Sequence, residues 1–250
     1  MRLLARCVWT SLTIALGLAP CVVFLLWAEA MGRDPGYGVM YAWVMGAPLV
    51  TLPGQPVVLR AAFDVALMLA FGVLHSGLAQ VPVQERLARV VGAAHVRAAY
   101  MIATGLALWG VMVAWQTLGG AAWTLVPGSG AAARAGQLGF FALLALSARF
   151  VAAGGGPLAF VGLTGGRPPG NPVLMETGAY ARVRHPAYAL TLVAFLCANT
   201  MTRDRLVLLA GMALYLAAGI PVEERKLVAL FGDGYERYRK RVPALIPRLF

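Results

Sequence analysis

"AAFDVALMLAFGVLHSGLA" (Ala61–Ala79) holds one carboxylate and one imidazole, and is otherwise almost entirely apolar. A helix rises about 1.5 Å per residue, and a bilayer core takes roughly 20 residues to cross. The run therefore reads as a membrane span. Cys7–Trp27, Ala98–Leu118 and Ala135–Ala152 meet that length or nearly so. Ala187–Thr200 and Leu206–Val222 follow as a pair joined at "NTMTRDR", and read as a tight hairpin that does not fully reach the far side. Tyr37–Leu52, with Gly46 and Pro48, suits an interfacial or re-entrant segment better than a span. Composition agrees, because 60% hydrophobic and 12% charged residues are too apolar and too weakly charged for a soluble domain. The expected fold is all-α, an integral membrane bundle of about six transmembrane helices. Residues 1–153 form about four spans, and residues 154–250 form a second half with a loop, a helical hairpin and a cytoplasmic tail.

The net charge of +11 invites a nucleic-acid reading. The charges cluster between apolar runs rather than along one basic face, so membrane orientation explains them instead. Arg2 and Arg6 precede the first run, Arg86, Arg89 and Arg97 separate the second and third, and Arg182 and Arg184 precede the fifth. The tail after Val222 adds Arg225, Lys226, Arg237, Arg239, Lys240 and Arg241, whereas Arg33, Arg60, Arg134, Arg203 and Arg205 fall on the other side. The positive-inside rule then places both termini in the cytoplasm. A cleaved signal ending at "AEA" is the weaker alternative, since its apolar core is long for such a segment. Cys7, Cys21 and Cys197 lie in apolar runs without ligand spacing and read as core hydrophobes, and no metal is expected.

Polar chemistry concentrates at "GAYARVRHPAY" (Gly178–Tyr188), where an apolar helix begins. Proline disfavours helix in the residue before it and suits the first helical turn, so the chain bends at His185 and a helix starts at Pro186. The free N–H groups and positive dipole end of that helix suit a carboxylate or phosphate. A basic, aromatic interfacial anchor is the plainer reading. A second cluster begins where the sixth run ends, with Glu223 and Glu224. A carboxylate at that depth is costly unless it meets a cation, either Arg225, Lys226 or Arg184 as a structural pair or a ligand ammonium. A hairpin returns Glu223 to the membrane face of His185. One site would then offer a helix start, a carboxylate and aromatic rings. An amino acid headgroup on an adenosyl sulfonium meets all three.

"GxYxxxRHPxY", an acidic pair and "FGxxYxxYxxxVPxxxP" together resemble the catalytic half of the isoprenylcysteine carboxyl methyltransferase superfamily. The resemblance covers about Pro172–Pro247. "LHSGLA" (Leu74–Ala79) and "GIPVEERKLVALFGDGYERY" look most like its bacterial methanethiol S-methyltransferase and NnrU-like branch. It implies a membrane methyltransferase of the bacterial cytoplasmic membrane that uses S-adenosylmethionine and releases S-adenosylhomocysteine. The implied acceptor is a small or lipophilic thiol or a similar apolar nucleophile. Leu174, Met175, Tyr180, His185, Pro186, Ala187, Tyr188 and Ala189 would line the cofactor pocket. Glu223 would hold the methionine ammonium, with Glu224 beside it. Tyr235, Tyr238 and Arg241 would close the cytoplasmic side, and Arg184 and His185 would supply a positive field for a thiolate. Two stretches depart from the pattern. Ala217–Val222 lacks the arginine with which prenylcysteine enzymes clamp a carboxylate, and "RFVAAGGGPLAFVG" stands where the methanethiol enzymes carry a polar stretch.

His75 and Ser76 put polar groups inside the second run, and His75 is either a substrate-side group or a histidine bonded to a neighbouring carbonyl. Asp64 is expected to cap or pair near Arg60, and His95 to face solvent. The partners expected are membrane lipid and an apolar methyl acceptor, with no nucleic acid. A prenylcysteine or lipid methyltransferase is the nearest alternative. From another class comes a non-catalytic assembly factor or subunit of a membrane complex. A transporter fits less well, because the spans show no inverted repeat and no paired charges at mid-membrane.

Overall fold

The computed structural model describes residues 8–31, 52–128, 130–152 and 173–248. Tyr37–Leu52, except its last residue, and the Gly/Pro-rich stretch after Val151–Ala152 fall outside these residues, as does Cys7. Eight helices and a two-stranded ribbon account for most of what is described. They are α1 (Val8–Ala30), α2 (Val57–Leu78), α3 (Val81–Val91), α4 (Val96–Ala114), β1 (Ala121–Thr124), α5 (Ala131–Ala152), α6 (Pro186–Leu196), β2 (Thr200–Thr202), α7 (Arg203–Phe231) and α8 (Asp233–Arg241).

Five of these helices are long and apolar enough to cross a membrane: α1, α2, α4 with its preceding turn, α5 and α7. α6 has 11 residues and rises roughly 16 Å, about half a bilayer core. The expected hairpin is therefore unequal. Its second arm is a helix of 29 residues that carries the acidic pair within it instead of after it.

Between helices in a bilayer there is little hydrophobic drive, so close packing and interhelical hydrogen bonds must hold the bundle together. α1 contains a π-helical segment, Thr13–Leu18, whose backbone presses on α4 at Gly105. A Cβ at Gly105 would stand 2.1 Å from the Leu16 carbonyl oxygen, so only glycine permits this approach. The main core gathers Trp27, Met112, Trp115, Phe195, Met201 and Leu208, and the two tryptophan rings meet edge-on at 5.2 Å.

One end of the bundle is closed by polar groups that read as loop residues in the sequence. β1 and β2 pair antiparallel there. Thr202 caps α7, its hydroxyl accepting from the Arg205 N–H at 3.2 Å. Asp204 accepts from the Trp115 indole and the Leu118 and Gly119 N–H groups at 2.9–3.0 Å. That carboxylate satisfies the backbone released where α4 ends at Ala114, short of the expected Leu118. The Arg205 guanidinium donates to the Ala28 and Glu29 carbonyls at the end of α1. Asp64, fully buried, accepts from the Gln116 N–H at 2.8 Å instead of pairing with Arg60, which donates to the Thr117 carbonyl. His95 is half-buried and stacks on Trp9 at 4.9 Å. Arg60, Arg203 and Arg205 thus sit at this end, and the polar knot sits at the other.

Candidate active site

His185 has φ −122° and ψ 67°, and Pro186 occupies the first turn of α6, as the "RHP" pattern requires. The bend is pinned from outside. The Arg184 and His185 N–H groups donate to the Pro243 and Ala244 carbonyls at 2.9 and 3.0 Å, so "VPALIP" pairs with the turn like a short strand. The first turn of α6 thereby faces a cavity of about 470 Å³. Apart from Phe150, every residue lining that cavity comes from 173–238.

Leu174, Met175, Tyr180, Pro186, Ala187 and Tyr188 all line the cavity, as do Glu223, Tyr235 and Tyr238. Leu227, Leu230 and Phe231 add to its wall from one face of α7, at i, i+3 and i+4. Ala189 is not among the lining residues. Arg241 lies outside too, bonded to Glu176 on the surface.

The acidic pair divides into two roles. Glu224 is buried and takes the Arg184 guanidinium at 2.5 and 2.7 Å, with His185 Nε2 at 3.2 Å. The remaining Arg184 donors go to the Arg239 and Val242 carbonyls, so this arginine ties α6, α7 and the tail together. Glu223 faces the cavity with 44% of its side chain exposed. Its Oε2 accepts from the Tyr188 hydroxyl at 2.9 Å and lies 3.8 Å from His185 Nδ1. The Tyr188 ring stacks on the His185 ring at 5.4 Å. Residues one apart on a helix diverge by about 100°, which is how adjacent glutamates come to serve the cavity and the scaffold separately.

Gly232, at φ 57°, ends α7 and turns the chain into α8 beneath the cavity. α8 delivers Tyr235 and Tyr238, each 2% exposed. The Tyr238 hydroxyl donates to the Tyr180 carbonyl at 2.7 Å, closing the loop over the site. Burial pushes both phenols up to about 12, with the Glu224 charge adding to it at Tyr235 and Arg184 opposing it at both. Burial and Glu223 also raise Tyr180.

A second cavity of about 530 Å³ adjoins the first and shares Tyr188 and Glu223 with it. It lies between α2 and α7, lined by apolar residues such as Leu69, Val73, Leu216 and Ile220. His75 and Ser76 open onto it. The His75 ring meets the Tyr100 hydroxyl at 3.0 Å rather than a backbone carbonyl, and Ser76 bonds the Tyr215 hydroxyl at 2.8 Å. Tyr215 went unremarked in the sequence, where nothing distinguished it from a packing residue.

No family model matches the chain, and no solved structure matches it. Curated proteins do. The chain is similar to Methanethiol S-methyltransferase 1 of Bradyrhizobium diazoefficiens, with 47% identity over 68 residues, or 27% of this chain and 24% of that one. Over 78 residues it is 38% identical to the Protein-S-isoprenylcysteine O-methyltransferase of Schizosaccharomyces pombe, covering 30% and 33% of the two chains. Over 212 residues it is 32% identical to Methanethiol S-methyltransferase 2 of B. diazoefficiens, covering 79% of this chain and 78% of that protein. A five-helix membrane scaffold and similarity of that extent make the chain a multi-pass membrane methyltransferase, and it belongs to the isoprenylcysteine carboxyl methyltransferase superfamily, in the methanethiol S-methyltransferase branch.

Proposed function

We propose that the protein transfers the methyl group of S-adenosylmethionine to a small or lipophilic thiol, at the cytoplasmic face of a bacterial inner membrane. One observation carries the reading: the cavity at the start of α6 holds a half-exposed carboxylate, Glu223, beside the stacked rings of His185 and Tyr188. The residues fit the cofactor's parts. Glu223 offers a charge for an ammonium, the free N–H groups at the α6 start suit a carboxylate, and the tyrosine rings attract a sulfonium. Leu174, Met175, Leu227 and Phe231 give apolar walls for an adenosine. When bound, S-adenosylmethionine supplies an electrophilic methyl group.

The chain's own part is to hold, align and dry the reactants. Fixed in-line geometry supplies roughly 7–11 kcal/mol of the barrier reduction in such reactions. Arg184 spends its donors on Glu224 and on carbonyls, so its charge is locked into the scaffold instead of being free for a substrate carboxylate. That supports a neutral acceptor over a prenylcysteine carboxyl group, as does the missing arginine in Ala217–Val222. The names of the relatives support sulfur as the accepting atom. The concentration of Arg182, Arg184, Arg225, Lys226 and the α8 cations at the cavity's end supports a cytoplasmic site. Calorimetric titration of the purified protein with S-adenosylhomocysteine tests the cofactor reading, with saturable one-to-one heat expected. Absence of heat from a monodisperse preparation would refute it.

A further inference from the structure

The cavity between α2 and α7 is distinct from the one assigned above to the cofactor, yet it shares a wall with it. That wall is Tyr188 and Glu223. A ligand in the α2–α7 cavity would therefore meet the cofactor cavity at Tyr188 and Glu223. The cavity is lined mainly by apolar side chains from two membrane-spanning helices, so it favours an uncharged ligand from the bilayer. Its polar lining consists of Ser76, Tyr215, His75 and Gln80, with Tyr188, Glu223 and Lys226 where it meets the cofactor cavity and the membrane surface. Ser76 and Tyr215 bond each other. His75 is stacked on Phe71 at 5.7 Å, and its two ring nitrogens lie 3.0 and 3.1 Å from the Tyr100 hydroxyl.

A neutral thiol is a poor nucleophile, because the thiolate is the species that attacks. Neither Arg184 nor Glu224 is free to help, since they neutralise one another in the scaffold. A neutral imidazole has one N–H and one lone pair. The Tyr100 hydroxyl lies within reach of both nitrogens and accepts from the single N–H, so in either tautomer the second nitrogen keeps a lone pair, on a ring that lines the cavity.

We propose that the α2–α7 cavity is the acceptor site for an uncharged thiol and that His75, held by Tyr100, takes its proton. This rests on the thiol methyltransferase reading above. The S–H bond breaks with its electron pair left on sulfur, and the proton passes to the unprotonated His75 nitrogen as the Tyr100 hydroxyl holds the other. The thiolate sulfur then forms a bond to the methyl carbon, while the sulfonium–methyl bond breaks and its pair returns to the cofactor sulfur. The products are a methyl thioether, S-adenosylhomocysteine and a protonated His75 that returns its proton to water. Arg97 and Tyr100 on α4 lie against this imidazole, and Tyr215, Glu223 and Lys226 on α7 and Tyr188 on α6 line the same cavity.

The test compares His75→Gln with the unaltered protein on two acceptors at about pH 8. One is an alkanethiol, a weak acid, and the other an arenethiol, whose far more acidic S–H gives up its proton with little help from a base once the neutral form is bound. General base catalysis contributes about 10²–10⁴-fold. The variant should lose at least about a hundredfold in kcat on the alkanethiol and less than about fivefold on the arenethiol. Calorimetry should give S-adenosylhomocysteine and the alkyl methyl sulfide product the same affinities in both proteins. Tyr100→Phe, which keeps the imidazole but frees its ring, should show the same acceptor dependence in weaker form and serves if His75→Gln does not fold. Equal losses on both thiols, or no loss on either, would overturn the assignment of His75. An unchanged affinity for the product when Leu216→Trp fills the cavity would overturn the acceptor site. Failure of the unaltered protein to methylate either thiol would overturn the thiol reading itself, and this inference with it.

Discussion

Replacing Glu224 by Gln and Glu223 by Gln should separate scaffold from site within a single turn of α7. Glu224 takes Arg184 at 2.5 and 2.7 Å with both side chains about nine-tenths buried. Gln at 224 leaves that guanidinium without a counter-charge, and breaking such a buried pair costs about 3–5 kcal/mol. The same change loosens the bend at His185, whose Nε2 also meets Glu224. Glu223 has 44% of its side chain exposed and only a phenol as its close partner, so its loss should cost the apo protein about 1 kcal/mol or less. Its charge matters when an ammonium arrives. A charge-assisted hydrogen bond is worth about 1.5–3 kcal/mol, so S-adenosylhomocysteine affinity should fall roughly ten- to a hundredfold. Thermal unfolding of the detergent-solubilised protein, with and without S-adenosylhomocysteine, reads both effects. The account expects Glu223→Gln to melt near the unaltered protein and lose most ligand stabilisation. Glu224→Gln should melt much lower without ligand. A sharp fall in apo stability for Glu223→Gln, with Glu224→Gln silent, would refute the division of roles.

Other perturbations follow from the same geometry. Tyr188→Phe deletes the hydroxyl that Glu223 accepts; at about 0.5–1.5 kcal/mol for the bond, cofactor affinity should drop roughly two- to twelvefold by calorimetry. Arg241→Ala removes an exposed pair with Glu176 and should change neither melting temperature nor S-adenosylhomocysteine affinity measurably. Gly105→Ala drives a methyl into the Leu16 carbonyl, and overpacking of this kind should lower stability by about 1–3 kcal/mol in a detergent melt. Tyr235 and Tyr238 are raised from 10 to about 12 in the folded protein, so the unfolded chain loses these protons first. Their stabilising contribution is complete below pH 10 and is lost as pH rises towards about 12, and Tyr238→Phe should flatten that alkaline decline.

The spans were legible because lipid demands length and apolarity, which a linear run displays directly. Ala61–Ala79 came within a few residues of α2, and the bend at His185 followed from the stereochemistry of one proline. The far end was not legible. Asp204 and Arg205 look like loop charges in "NTMTRDR", and their burial depends on Trp115, Gly119 and Ala28, which are distant in the chain. Within the site, the sequence brought His185, Tyr188 and Glu223 together and gave Glu223 rather than Glu224 the inward place, but it left open which cation meets which carboxylate. The Arg184–Glu224 pair answers that about 100° of helix phase away from Glu223, and a linear pattern does not orient that arginine. The relation of His75 to Tyr100 was hidden for a similar reason, since α2 and α4 meet only in three dimensions.

The central claim is that one chain binds S-adenosylmethionine at the start of α6 and passes its methyl group to a thiol. Methyl-labelled S-adenosylmethionine incubated with the purified, lipid-reconstituted protein and an alkanethiol tests it most directly. The account predicts a labelled methyl thioether and S-adenosylhomocysteine formed in equal amounts, with both abolished or strongly reduced by Glu223→Gln at limiting cofactor. Label that stays in S-adenosylmethionine, from a protein shown to bind S-adenosylhomocysteine, across every thiol offered would contradict it.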